Sequence, residues 1–305
     1  MVELFGGIEA GGTKFVCAVG TASGKIDKRV TIPTTTPEET IPQVIKYFKD
    51  IHFNTPLSAV GIASFGPVDP DPISPHFGHI TSTPKLAWTN YNILGAVKDA
   101  FGVPVGFDTD VNGAALGEYR WGEAQGLNTF IYMTVGTGIG AGGMVSGKMI
   151  HGLIHPEMGH MRIPHDKDKD PFEGVCPFHG DCLEGLATGP AMMKRWKVAE
   201  ALDLPADHEG WELEADYLAA ALTNCILVLS PQKIIIGGGV MKQPNLLSKI
   251  HPKVIALLNG YINHSAILED IEEYIVLPGL GGDAGICGAI ALAEKEFKNS
   301  LIASS

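Results

Sequence analysis

The chain has 305 residues, 45% of them hydrophobic and 18% charged, and its 34 acidic against 22 basic side chains leave a net charge of −12. That balance fits a globular protein large enough for two lobes, and it argues against a nucleic-acid or anionic-membrane partner, whose grip comes mostly from Lys and Arg on phosphates. Small phosphorylated ligands stay open if backbone amides and a metal hold them. The opening residues Met1-Val2-Glu3-Leu4-Phe5 carry no basic region or cleavage site, and no apolar run reaches transmembrane length, so a cytoplasmic location is expected. Cys17, Cys225 and Cys287 lie singly in apolar segments and read as buried thiols. No Pro- or Ser-rich linker separates the lobes, which are expected to be continuous and closely docked.

Phe5 to Ala10 is an apolar run broken by Gly11-Gly12-Thr13-Lys14, after which Phe15 to Val19 resumes as strand and Ser23-Gly24-Lys25 turns again. Phe130 to Val135, Gly136-Thr137-Gly138-Ile139-Gly140, Ala141 to Val145 and Ser146-Gly147-Lys148 repeat that order, which predicts two similar halves. A turn without Cβ atoms lets backbone N–H groups approach an anion closely; Thr13 and Thr137 add hydroxyls and Lys14 a cation. Glycines 138, 140 and 143 match a dinucleotide fingerprint by spacing, but strand and turn follow them where that motif needs a helix, and no P-loop motif occurs.

Between the hairpins, Pro37 to Asp50 reads as an N-capped amphipathic helix and Leu57 to Ala63 as a strand. An aperiodic stretch containing Thr83-Pro84-Lys85-Leu86-Ala87-Trp88 reads as a binding surface. Tyr91 to Phe101 is helical and Val103 to Phe107 a short strand. That strand delivers Asp108-Thr109-Asp110-Val111-Asn112, and a helix is expected to begin at Gly113. Open α/β sheets place ligands where a strand hands over to a helix. Alternation puts Asp108 and Asp110 on one side; N-capping explains one acid and leaves the other for catalysis or sugar binding.

After the second hairpin, His160, Cys176, His179 and Cys182 stand at the spacing H-x15-C-x2-H-x2-C. Thiolates and imidazoles at such intervals suit a four-coordinate, structural Zn2+. The alternative is a Cys176–Cys182 disulfide, which leaves two interleaved histidines unexplained. His151, His155 and His165 read as loop histidines outside the ligand set. The charged segment from Arg162 to Val175 has little core of its own, so a bound ion is expected to order it. The chain then continues as helix from Gly185 to Ala201 and from Trp211 to Leu229, and as a buried strand from Lys233 into Gly237-Gly238-Gly239. A helix from Asn245 to Asn259, a strand from Tyr274 to Pro278 and a last helix ending at Phe297 complete it.

Together, Gly7-Ile8-Glu9-Ala10-Gly11-Gly12-Thr13-Lys14, Thr83-Pro84-Lys85-Leu86, Asp108 to Asn112, Gly136 to Gly142, Glu157-Met158-Gly159-His160 and Cys176 to Glu184 resemble the ROK family of repressors, open reading frames and sugar kinases. The form of Cys176 to Ala191 is similar to its bacterial fructokinase branch. The resemblance implies an α/β, actin-like ATPase (ribonuclease H-like) fold of two lobes with an active-site cleft between them and a zinc-bound loop. Its lobes would be residues 1–117, with a C-terminal helix 289–305 packing back, and residues 118–288, with the zinc loop at 155–184. It implies ATP as co-substrate, Mg2+, structural Zn2+, a hexose acceptor and a homodimer. Carried over by residue, Asp110 is the general base. Asn112, Glu157, His160 and Glu184 bind sugar hydroxyls. Gly11, Gly12, Thr13, Lys14, Gly136, Thr137 and Gly138 cradle phosphates, and Gly237, Gly238 and Gly239 lie against the nucleoside. His160 would serve both zinc and sugar. Glu9 stands where most relatives have Asp, so its Mg2+ role would run through water, and Thr109 stands where glucose-specific relatives usually carry Asn. Fructose is the expected acceptor, with mannose as a second. Glucokinase, N-acetylhexosamine kinase and a non-catalytic sugar-sensing repressor are the alternatives.

Overall fold

The computed structural model describes residues 2–52 and 55–303. The chain forms two compact units, Met1–Gly126 with Met149–Pro156 and Gly282–Ser305, and Leu127–Lys148 with Glu157–Gly281. The expected boundary after residue 117 thus moves to 126, because the helix begun at Asp110 runs on to Trp121. Residues 155 and 156 of the expected zinc loop group with the first unit.

The first unit starts with β1 (Phe5–Ala10), β2 (Lys14–Gly20) and β3 (Ile26–Pro33), an antiparallel run. Helix α1 (Pro37–His52) leads to β4 (Ala59–Ser64); the short pair β5 (His79–Ile80) and β6 (Tyr91–Asn92), helix α2 (Ile93–Phe101), β7 (Val105–Thr109) and α3 (Asp110–Trp121) follow. Sheet order is β3-β2-β1-β4-β7, with β4 and β7 parallel to β1. Strand β3 was not expected: Asp27, Lys28 and Arg29 interrupt its apolar pattern, and pairing with β2 holds it. The second unit holds β8 (Phe130–Val135), β9 (Ile139–Val145), β10 (Lys148–Met149), α4 (Leu183–Ala187), α5 (Gly189–Trp196), α6 (Gly210–Leu229), β11 (Ile234–Gly237), α7 (Leu246–Leu258), α8 (Ser265–Leu268), α9 (Ile271–Tyr274) and β12 (Ile275–Val276). Its sheet order, β10-β9-β8-β11-β12, reproduces the first, as the repeated hairpin predicts.

The expected helix from Gly185 to Ala201 is broken in two. Thr188 ends α4 in extended backbone and caps α5 through Ala191 N, with Pro190 in the first turn of α5, where its missing N–H costs nothing.

Both faces of the first sheet are apolar, as parallel strands covered on each side require. Ile8, Phe15, Cys17, Val60 and Ile62 pack with α1 and α2 through Ile41, Val44, Phe48, Ile93 and Val97. The opposite face, with Val16, Ala18 and Ala63, receives the chain's last helix, α10 (Ala284–Ala303), through Ile286, Ala289 and Leu292. Runs of Ala and Gly in α10 let it sit close to the strands. It starts at Ala284, earlier than the expected 289, and residues 304–305 of the expected helix lie outside the described residues.

Candidate active site and metal centre

Register fixes what the first sheet presents at one edge. Ala10 pairs with Ser64, and Ser64 with Thr109, so the Gly11–Lys14 turn and the start of α3 leave the same edge of the sheet two strand spacings apart, roughly 10 Å. Thr109, not either aspartate, caps α3 by accepting from Asn112 N at 3.1 Å. The helix therefore begins three residues earlier than expected, and strand alternation no longer relates Asp108 to Asp110. Asp110 is the first helical residue, its Oδ1 accepting from Val111 N at 2.9 Å. Asp108 is buried at 4% exposure, where its Oδ1 accepts from Thr109 N at 2.8 Å and Asn112 Nδ2 at 2.9 Å.

Gly11 N donates to Lys14 O at 3.0 Å, closing the first hairpin, and Thr34 Oγ1 donates to Gly11 O at 2.7 Å from the end of β3. In the second hairpin Gly136 N donates to Gly138 O at 2.9 Å, and Gly189 N at the start of α5 donates to Gly136 O at 2.9 Å. The Gly11 and Gly136 N–H groups thus serve their own turns. Lys85, absent from the expected site, lays its side chain across the first turn: a Cβ on Gly12 would stand 3.1 Å from Lys85 Cε. Fully buried Trp88 anchors that loop, packing on Phe15 and Phe65 and donating from Nε1 to Thr35 O at 2.8 Å. The Thr83-Pro84-Lys85 motif was the sequence signal for it.

Glu9 lies near the end of β1 beside the start of α10, against Gly285. Burial pushes its carboxyl pKa up, Lys14 and Arg29 pull it down, and Asp283, ion-paired to Arg29, pushes it up again.

In the second unit, Gly237 pairs with Thr134, which brings the Gly237–Gly239 turn beside the second hairpin. Gly238 adopts φ +98°, and a Cβ there would stand 2.3 Å from Val135 O, so only glycine fits this turn. Glu184 on α4 accepts from Ile139 N at 3.0 Å through Oε2, while its Oε1 stands 3.9 Å from His160 Nε2. Glu157 joins them: burial pushes its carboxyl pKa up, His160 opposes this and Glu184 adds to it. The expected sugar binders of this unit are therefore gathered at one place.

His160 ends a 3-10 turn, Met158–His160, whose Gly159 lies flat on β9. Its Nδ1 stands 3.7 Å from Cys176 Sγ and 3.5 Å from Cys182 Sγ, and His179 Nδ1 is 3.6 Å from Cys176 Sγ. All four donor atoms lie within 4.8 Å of one another. A tetrahedron with zinc–nitrogen and zinc–sulfur bonds of ordinary length has mixed edges of about 3.6 Å, so the cluster fits such an ion. Both cysteines are free thiols, against the disulfide alternative. A tight turn makes the cluster: Cys176 and Gly180 exchange backbone hydrogen bonds at 3.2 and 3.0 Å, and Cys182 stands just before α4.

The charged loop before it has a source of order that composition concealed. Asp170, 4% exposed, accepts from Tyr217 Oη at 2.6 Å and Arg195 Nε at 3.2 Å. His165 Nδ1 lies 3.1 Å from Asp181 Oδ2 and Nε2 2.9 Å from Asp170 O. Of the three histidines read as loop residues, His165 and His155 are buried, and His151 contacts Asp108 at 3.0 Å. No helix among the described residues is long and apolar enough to cross a membrane.

The ROK family model matches residues 5–296. The chain is 46% identical over 295 residues to the fructokinase of Zymomonas mobilis, covering 95% of this chain and 96% of that one. It is 44% identical over 297 residues to the fructokinase of Pediococcus pentosaceus, covering 97% and 100%. A solved ROK family glucokinase from Streptomyces griseus, in complex with glucose and AMPPNP, superposes with a TM-score of 0.74 at 24% identity, covering 97% of this chain and 100% of that one. With that fold and a match running nearly end to end, this chain belongs to the ROK family and has its actin-like ATPase fold.

Proposed function

We propose that the chain is an ATP-dependent hexose kinase whose preferred acceptor is D-fructose, converted to D-fructose 6-phosphate with release of ADP. The observation that carries this is the pairing of Asp110 at the head of α3 with the glycine-turned hairpin at the same sheet edge, in a chain whose relatives at 42–52% identity bear fructokinase names. Phosphoryl transfer asks the protein mainly for in-line positioning and neutralised charge. Asp110 accepts the proton of the attacking hydroxyl as the new P–O bond forms. Asn112 orients the sugar in this reading, and Glu157, His160 and Glu184 bind its hydroxyls. Gly12, Thr13, Thr137 and Gly138 offer N–H and hydroxyl groups to the phosphates, Lys14 and Lys85 supply cations, and Gly237 to Gly239 let the nucleoside approach the backbone.

Mg2+ neutralises phosphate charge when bound with ATP. Glu9 fits a water-mediated role toward it, since its buried carboxyl is only partly compensated by Lys14 and Arg29. His160, Cys176, His179 and Cys182 hold Zn2+ in this reading. His160 has Nδ1 toward both thiols and Nε2 toward Glu184, so holding a metal there would orient the sugar-binding groups. A homodimer and a cytoplasmic location complete the reading.

The test is ADP release with ATP and Mg2+ on fructose, mannose, glucose and N-acetylmannosamine, with and without zinc chelation. The highest kcat/KM on fructose, lost on chelation and restored by Zn2+, supports it. Sugar binding without turnover in metal-replete protein points to a sensor.

A further inference from the structure

Helix α4, which carries Glu184, is a single turn of five residues. A turn this short has no stability of its own, and its last carbonyls have no partner within the helix. Groups beyond the helix take them. Glu184 O accepts from Thr188 Oγ1 at 3.0 Å, Gly185 O from Val175 N at 2.9 Å and Leu186 O from Arg195 Nη1 at 2.9 Å. At the other end Leu183 N donates to Met161 O at 3.0 Å. Val175 belongs to the charged loop and Arg195 to α5, so two separate elements hold this one turn.

Asp170 ties those two holds together. Its Oδ1 accepts from Arg195 Nε at 3.2 Å, and its Oδ2 stands 3.1 Å from Arg195 Nη2 and accepts from Tyr217 Oη of α6 at 2.6 Å. The guanidinium carbon lies 4.4 Å from the centroid of the Phe172 ring. Both side chains of the pair are buried, at 6% and 4% exposure, where a charge persists only if it is matched. A guanidinium is a planar fork: with Nε and Nη2 on one carboxylate, Nη1 is aimed in a fixed direction, here at the end of α4. The loop, α4 and α5 thus close into a ring, from Asp170 to Arg195, from Arg195 to α4, and from α4 through Val175 back to the loop.

We propose that Arg195 is a positioning residue of the sugar site: fixed by Asp170, its guanidinium sets the α4 turn from which Glu184 reaches Ile139 N at 3.0 Å and stands 3.9 Å from His160 Nε2. This rests on the reading of Glu184 as a sugar binder. Arg195 acts through the backbone of α4, so its loss lets the Glu184 carboxylate drift from the place where it meets a hydroxyl.

The experiment is a double-mutant cycle on metal-replete, full-length protein: kcat/KM for fructose, from ADP release, and thermal unfolding for wild type, Arg195→Lys, Glu184→Gln and the double variant. Lysine keeps the positive charge beside Asp170 and beside Glu214, whose buried carboxyl Arg195 also stabilises in its charged form, but its single ammonium cannot serve Asp170 and Leu186 O as the fork does. Arg195→Lys is expected to lower kcat/KM about tenfold in the wild-type background. In the Glu184→Gln background the same change is expected to cost less than about twofold, because the group it positions has already been altered. Asp170→Asn, which keeps the shape of the hub and removes its charge, is carried through the same cycle and is expected to give the same pattern, so the answer does not hang on one variant folding. Equal losses in both backgrounds mean that Arg195 only supports the fold, and they overturn the inference; so does a folded Arg195→Lys protein with wild-type kcat/KM. Wild type without hexose-stimulated ADP release overturns the kinase reading and this inference together, whereas an active wild type with indifferent variants overturns the role of Arg195 alone.

Discussion

Gly159→Ala is the smallest change that tests whether the 3-10 turn must lie on β9 for the second unit's sugar binders to work. A Cβ at Gly159 would stand 1.7 Å from Ile139 O and 2.7 Å from Ile139 C, both backbone atoms of a sheet strand. Real Cβ atoms stay beyond 3.0 Å, so the turn must lift by at least 1.3 Å. The strand cannot yield, because Ile139 pairs with Val135 and its N–H is held by Glu184. The turn carries Glu157 at one end and His160 at the other, so both shift by about that distance, and misplacement of about 1 Å costs on the order of a hundredfold in rate. Overpacking adds a stability loss of about 1–3 kcal/mol. The assay is kcat/KM for fructose beside metal content and thermal unfolding, with Gly282→Ala as a stability comparison, since a Cβ there meets nothing within 4 Å. A Gly159→Ala enzyme with near-native kcat/KM and full metal would falsify the claim that this turn positions the site.

Asp110→Asn should fold, with a Tm within about 2 °C of wild type, and lose about 10²–10⁴ in kcat if it removes the proton acceptor; turnover close to wild type refutes that role. Cys182→Ser should lower bound zinc and drop the Tm by more than about 5 °C, an effect that chelation of the wild type reproduces and added Zn2+ reverses only in the wild type. Glu214 on α6 is fully buried with neither carboxylate oxygen hydrogen-bonded among the described residues, and burial pushes its pKa well above the ordinary 4.5 against the pull of Arg195. Because the folded protein keeps this proton after the unfolded chain has released it, the side chain subtracts stability as pH rises above 4.5. Glu214→Gln should therefore raise the Tm at about pH 8, with the gain shrinking as pH falls towards that value; a gain that grows in acid contradicts the assignment.

The family, the two repeated glycine hairpins and the cluster of two cysteines and two histidines were legible in the sequence because each is a local pattern: backbone turns need glycine wherever they occur, and side chains spaced within one loop can meet. The strand-to-helix handover at Asp108 to Asn112 was legible too, but not its geometry. Only tertiary structure decided that Thr109 caps α3, that β3 joins the sheet despite Asp27, Lys28 and Arg29, and that Thr188 and Pro190 split one expected helix in two. The same holds for Lys85 above Gly12, for His165 and Asp170 beneath the charged loop, and for His151 on Asp108. Those partners lie tens of residues apart or in segments without periodicity, and periodicity reports only which face of one element is apolar. Which polar side chain reaches which buried acid depends on how the sheet edge and its loops pack, and the chain settles that only once it is folded.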